Sequence, residues 1–243
     1  MFGLGTIINV VAILLGSTVG VLAGNRLRIA TRDLITQILG FITALAAVDA
    51  MKELWAPQYI SSLPKGWPLL ILLFSLLLAA ILGSALRIEA RLDSVGVWLR
   101  TKFARGDEST FLEGFVTATL IFAIGPLAIL GSMSDGMHTG ISQLTLKSIL
   151  DFFASMAFAS TLGWGVAASV IPVGLYQAGW TLVGWFAGSI LADYQISAMT
   201  ISGGILLLGI SLRLLKLKEV AIGNLLPVLA IAPIAATIAH HFS

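Results

Sequence analysis

The chain contains no cysteine, which excludes disulfides, thiolate metal sites and cysteine nucleophiles. Charge is scarce as well. Asp, Glu, Lys and Arg make up 11% of the residues, against about a quarter in an average soluble domain. So little charge excludes a soluble domain carried on a single anchor. There is no Walker loop, no His-Glu-x-x-His and no redox motif, so the most specific enzyme signatures are missing. Met1, Phe2 and Gly3 lack the basic stretch that opens a secretory signal peptide. The first apolar run therefore reads as a retained span. Histidine is rare, and His240 and His241 are adjacent, so they do not share a helix face. No metal site and no cofactor are expected.

What is present is apolar. Hydrophobic residues are 58% of the chain and the mean hydropathy is +0.99. At roughly 30 residues per span plus loop, 243 residues allow about eight spans and no separate soluble domain. The expected fold is all-α, a polytopic membrane helix bundle forming one transmembrane domain over 1–243. The spans read as about Leu4 to Gly24, Leu34 to Met51, Pro68 to Leu86, Phe111 to Ser132, Lys147 to Leu162, Val166 to Leu191, Ile196 to Leu214 and Ile222 to Ala239. Gly16, Gly20 and Gly24 recur at every fourth position of the first span, which lets a second backbone come close. Span 3 is almost purely aliphatic and is expected to face lipid.

Between spans 3 and 4, Ile88, Leu92, Val95 and Leu99 fall at helical spacing with basic residues around them. Residues 87–105 therefore read as an amphipathic helix on the membrane surface. Of the 14 Lys and Arg, 11 lie in the first, third and seventh loops, and Lys52, Lys65 and Lys147 lie on the other side. The positive-inside rule puts the odd loops in the cytoplasm and both termini outside. Clustered at membrane edges, these charges do not call for a nucleic-acid partner. Short matches hint at an internal repeat with halves 1–132 and 147–243. Leu82-Gly83-Ser84-Ala85-Leu86-Arg87 pairs with Leu208-Gly209-Ile210-Ser211-Leu212-Arg213, and spans 4 and 8 each carry a proline near the middle.

Several stretches together resemble a known family. They are Gly5-Thr6-Ile7-Ile8-Asn9, Glu113-Gly114-Phe115-Val116-Thr117-Ala118, Gly131-Ser132-Met133-Ser134-Asp135-Gly136, Lys147-Ser148-Ile149-Leu150-Asp151, Phe158-Ala159-Ser160-Thr161-Leu162-Gly163 and Gly223-Asn224-Leu225-Leu226-Pro227. In this order, and across essentially the whole chain, they resemble the prokaryotic inner-membrane family catalogued as domain of unknown function 554. The resemblance implies a bacterial or archaeal polytopic protein, loosely grouped with transporters. It leaves the function to be read from the residues.

The stretch from Phe111 to Gly163 carries the strongest polar signal. Gly125 and Pro126 interrupt span 4, because proline removes a backbone donor and clashes with the preceding turn. In a bilayer such a break persists only where protein or a water-filled cavity satisfies the freed groups. A polar excursion, Met133 to Leu146, holds Asp135 on the outer side, where solvation is expected. The return helix carries Asp151 about one turn in, with Ser148 and Ser155 on the same face. An intramembrane acid usually faces a cavity or a partner, although Asp151 could instead tie helices together, and Lys147 at i−4 could neutralise it. Asn9, Gln177 and Asn224 are either interhelical hydrogen-bonding residues or lining of a pathway. Pro126, Pro172 and Pro233 break three different helices.

Thr200-Ile201-Ser202-Gly203 lacks the first glycine and the later histidine motif of intramembrane serine proteases, and a nucleophile needs a base in reach. The chain is thus not expected to be an enzyme. The expected function is a transporter or channel for a small solute or ion, cation- or proton-coupled, built around Asp151, Gly125, Pro126, Pro233, Asn9, Gln177, Asn224 and Asp135. The alternative is a non-transporting membrane scaffold or sensor acting through partners, with residues 87–105 as its surface. The bilayer is a partner in both readings, and a homo-oligomer is compatible with either.

Overall fold

A computed structural model describes residues 3–24, 28–103, 108–124, 126–187 and 191–242. Gly125 lies outside these. Among the described residues the chain is helical and contains no strand. Twelve α-helices follow in order: α1 (Leu4–Gly24), α2 (Ile29–Met51), α3 (Pro57–Ser61), α4 (Trp67–Ala85), α5 (Ile88–Phe103), α6 (Glu108–Ala123), α7 (Pro126–Gly136), α8 (Ser142–Leu162), α9 (Gly165–Ala168), α10 (Val170–Ala187), α11 (Asp193–Leu214) and α12 (Val228–His240). Six segments are long and apolar enough to cross a membrane, or seven if the bent pair α6–α7 forms one span. The eight expected spans are approximate for one main reason. α8 has 21 residues, enough to cross, but it buries Lys147, Ser148, Asp151 and Ser155, and these polar side chains lower its apolarity.

The chain forms two compact units, each discontinuous in sequence: Met1–Leu39 with Leu92–Ile190, and Gly40–Arg91 with Leu191–Ser243. These boundaries differ from the halves 1–132 and 147–243 suggested by the short repeats.

In the first unit α1 lies along α8. A Cβ on Gly16 would overlap the Phe152 carbonyl, one on Gly20 the Met156 carbonyl, and one on Gly24 the Ser160 carbonyl. The touching residues advance together along both helices, so α1 and α8 run parallel, and the glycine stripe joins two helices of the same chain. α10 runs antiparallel to α1, since Thr6 meets Thr181 and Asn9 meets Gln177. α6 and α7 meet at a 63° bend, the break expected from proline at position 126. α7 continues to Gly136 and α8 already begins at Ser142. The polar excursion thus shrinks to a short turn, and Asp151 sits more than two turns into its helix. Pro172 occupies the first turn of α10, directly after the interruption at Ser169 between α9 and α10, so it lies at a helix start and not in a helix interior.

In the second unit α11 packs beside α12 and α2. Gly204 lies against Ala47 and Met51, and Gly40 against Leu214 and Leu215. Ser211 Oγ donates to the Gly40 carbonyl at 2.8 Å. α4 buries a narrow face of Ile71, Ser75, Ala79 and Gly83. It leaves Leu70, Phe74, Leu77 and Ile81 exposed, the aliphatic face that its composition suggests for lipid. Gly83 abuts the Asn224 carbonyl.

Candidate polar site in the first unit

α1, α8 and α10 bring three sequence-flagged residues together. Asp151 Oδ2 accepts from Asn9 Nδ2 at 2.8 Å and from Lys147 Nζ at 2.5 Å. Asn9 Oδ1 in turn accepts from Gln177 Nε2 at 2.8 Å. Asn9 and Gln177 are wholly buried, and Asp151 and Lys147 are 7% and 6% exposed. Each position follows from helical spacing. Lys147 and Asp151 stand one turn apart on α8, so the ammonium folds back along its own helix onto the carboxylate. Asn9 lies one turn beyond Gly5 on the face of α1 that meets α8. Lys147 Nζ also lies 5.7 Å from the centre of the Phe122 ring at the end of α6, which puts the pair beside the α6–α7 bend.

The pair fixes the direction of the amides. A carboxylate takes hydrogen bonds, so Asn9 must turn its nitrogen to Asp151 and its oxygen to Gln177. Gln177 then spends its nitrogen on Asn9. Its Oε1 is buried without a partner among the described residues. One turn along, Thr181 Oγ1 donates to the Gln177 carbonyl at 3.0 Å and lies 3.4 Å from Thr6 Oγ1. The cluster is thus an ordered series that begins at a cation and ends at an open acceptor. Asn9 is the sixth residue of α1, so the cluster lies about 8 Å from the start of that helix rather than at its middle.

Asp135 differs from the expectation of a solvated acid. It is only 2% exposed, and its Oδ2 accepts from the Gly5 N–H at 2.9 Å. The cause is α7, which runs on to Gly136 and carries this residue under the start of α1. Asp135 lines a pocket of about 200 Å³ with Leu4, His138, Gly140 and Ile141.

Pro233 and Asn224 belong to the second unit, apart from this cluster. Pro233 is buried inside α12, and its carbonyl accepts from Thr237 Oγ1 at 2.8 Å. Asn224 Oδ1 accepts from the Glu89 N–H at 3.0 Å, so it caps the start of α5 from a distant part of the chain. Glu89, unremarkable in the sequence, is the centre of that arrangement. Its carboxylate pairs with Arg213 at 3.2 Å and takes the Gly223 N–H. His240 is also in the second unit, stacked on Tyr194 and bonded to the Ser62 carbonyl. Of the residues that join Asn9, Asp151 and Gln177, sequence reading passed over Thr6 and Thr181. The one available signal was their spacing, i−3 from Asn9 and i+4 from Gln177.

Long apolar helices that bury a charged pair define a multi-pass helical membrane protein. Within that class, residues 4–237 match the model of the family described as protein of unknown function (DUF554), and the chain belongs to this family. It is similar to an uncharacterized membrane protein, YdfK, of Bacillus subtilis, with 31% identity covering 98% of this chain and 97% of that one. It is also similar to an uncharacterized protein, YqgA, of Escherichia coli, with 30% identity covering 94% of each. No solved structure gives a significant match.

Proposed function

We propose that the protein carries a small solute or ion across the membrane, with Asp151 as the exchangeable site. One observation supports this above the rest: a carboxylate buried in a long helix of a membrane protein, held by a lysine on that helix and by an amide from a second helix. Charge inside a bilayer is costly and is usually retained for function. Lys147 acts in this reading as a tethered cation. A mobile cation, or a proton, reaches Asp151 by displacing the ammonium, so both compete for one carboxylate and their movements are coupled. The amides of Asn9 and Gln177 hold the carboxylate in place during the exchange. The bent α6–α7 pair supplies the irregular backbone that transporters place beside their sites.

The protein in this reading sits in a bacterial or archaeal plasma membrane, with both termini extracytoplasmic and no catalytic role. The glycine face of α1 is used within the chain, so a homo-oligomer would assemble through another surface. A flux assay in liposomes on Asp151→Asn, over a panel of cations and small metabolites, tests the proposal. The substitution keeps the shape and removes the charge. Flux is expected to fall at least tenfold and to lose its pH dependence. Unchanged flux with unchanged pH dependence assigns Asp151 to structure and favours the scaffold or sensor reading.

A further inference from the structure

The carboxylate of Asp151 is met by donors. Lys147 Nζ and Asn9 Nδ2 both point at its Oδ2, and Asn9 turns its oxygen to Gln177 instead. Ser148 and Ser155, on either side of it along α8, give their hydroxyl protons to carbonyls of their own helix. A hard metal ion is held by a shell of oxygens, whereas this carboxylate faces two N–H groups. A proton needs only the one oxygen it binds. Few other titratable groups stand on the helices around the pair. α1 and α9 carry no acid or base. α10 adds Tyr176, whose ring meets Trp180, and Asp135 on α7 takes the Gly5 N–H. Glu108 and Glu113 lie at the far end of α6, about 13 Å or more along that helix from Phe122.

A proton in transit moves along water and hydroxyls. Buried hydroxyls on these helices donate back to a carbonyl one turn earlier, as those of Ser132, Ser148 and Thr181 do. Ser17, Thr117 and Thr119 differ. They are 0%, 1% and 5% exposed, and their hydroxyls have no partner among the described residues. With Gln177 Oε1 they are four of five such side-chain atoms, and all four belong to the first unit; the fifth is on Ser75 in the second. Buried polar groups of this kind are met by ordered water. Their places surround Asp151. A Cβ on Gly16, next to Ser17, would overlap Ser155 Oγ, one turn beyond Asp151 on α8. Phe122 faces Lys147 and Gly114 faces Leu162, so α6 runs antiparallel to α8. Thr119 and Thr117 thus lie about 4.5 and 7.5 Å from Phe122, in the direction that α8 takes from Lys147 through Asp151.

From the donors around Asp151 and the unpartnered hydroxyls beside it, we infer that the ion exchanged there is a proton, which moves along water held by Ser17, Thr117 and Thr119. This names the ion of the proposed transport and rests on that reading. A hydronium beside Asp151 gives up its proton, an O–H bond forms on the carboxylate, and water remains. The neutral acid releases Lys147 Nζ, which keeps its three protons and stays beside the Phe122 ring. The acid then passes its proton to water on the side of Ser17 and Thr117, and the ion pair closes again. One proton has moved and no other bond has changed.

The test is proton entry into liposomes that hold the purified full chain and a trapped pH-sensitive dye, driven by a potassium diffusion potential set with valinomycin. It is run without solute and with each member of a panel of small metabolites. Proton entry, alone or with a solute, is expected at least tenfold above that of empty liposomes. Asp151→Asn is expected to lower it at least tenfold. Thr119→Val, which nearly keeps the side-chain shape, and Ser17→Ala each remove one hydroxyl. Both are expected to slow proton entry at least fivefold with unchanged melting, and they decide the matter if Asp151→Asn fails to fold. Undiminished proton entry in these folded variants overturns the inference. Sodium or rubidium uptake that depends on Asp151, without proton movement, also overturns it and leaves transport standing. No flux of any ion or solute overturns both proposals.

Discussion

Lys147 and Asp151 are 8% and 9% exposed at their side chains, so solvent screens their attraction little. Removing one partner of such a pair strands the other charge. Lys147→Met is therefore expected to destabilise the protein by about 3–5 kcal/mol, on the scale of broken buried pairs. The double variant with Asp151→Asn should recover most of that loss, since no charge is left behind. Thermal unfolding in detergent checks both, and a neutral single variant would show that the pair is hydrated. Asn9 illustrates what a single residue hides. Its type says only that a polar group lies within a span; its bonds to Asp151 and Gln177 come from two helices more than 140 residues away along the chain. The carboxylate of Asp151 gives this amide its direction, and through it leaves Gln177 Oε1 open.

At the scale of elements, the glycine stripe of α1 is a packing device. Carbonyls of Phe152, Met156 and Ser160 occupy the space where side chains would be. Gly20→Leu would push α1 away from α8 and pull Asn9 off Asp151 as well. The expected result is loss of at least about 1–3 kcal/mol, the usual cost of overpacking, together with aggregated or unstable material on a sizing column. Normal elution and unchanged melting would contradict this. Pro126 and Pro172 both lie in the first turn of a helix, just after an interruption. At the start of α7 proline accompanies a 63° bend. In the first turn of α10 it follows the interruption between α9 and α10, where its missing N–H costs no bond within α10. Hydropathy placed Pro172 within a span. It could not place it within the helix, because α9 ends at Ala168 and α10 begins at Val170 in apolar sequence without a break in polarity.

At the scale of the molecule, the distribution of basic residues predicts an orientation. A reporter fused after Ser243 is expected to read as extracytoplasmic, because 11 of the 14 Lys and Arg lie in the first, third and seventh loops. A cytoplasmic signal would reverse that orientation. What the sequence determined by itself was the class, the all-helical character and the glycine face, because length, apolarity and a four-residue period are local properties of a chain in a bilayer. Asp151 was legible for the same reason, as a charge inside an apolar run. What the tertiary structure decided was company. It gathered Asn9, Gln177 and Lys147 around Asp151, put Asn224 and Pro233 in the other unit, and buried Asp135 under the start of α1. Such groupings depend on which helices pack together, and the short hydrogen bonds that express them leave no period in the sequence.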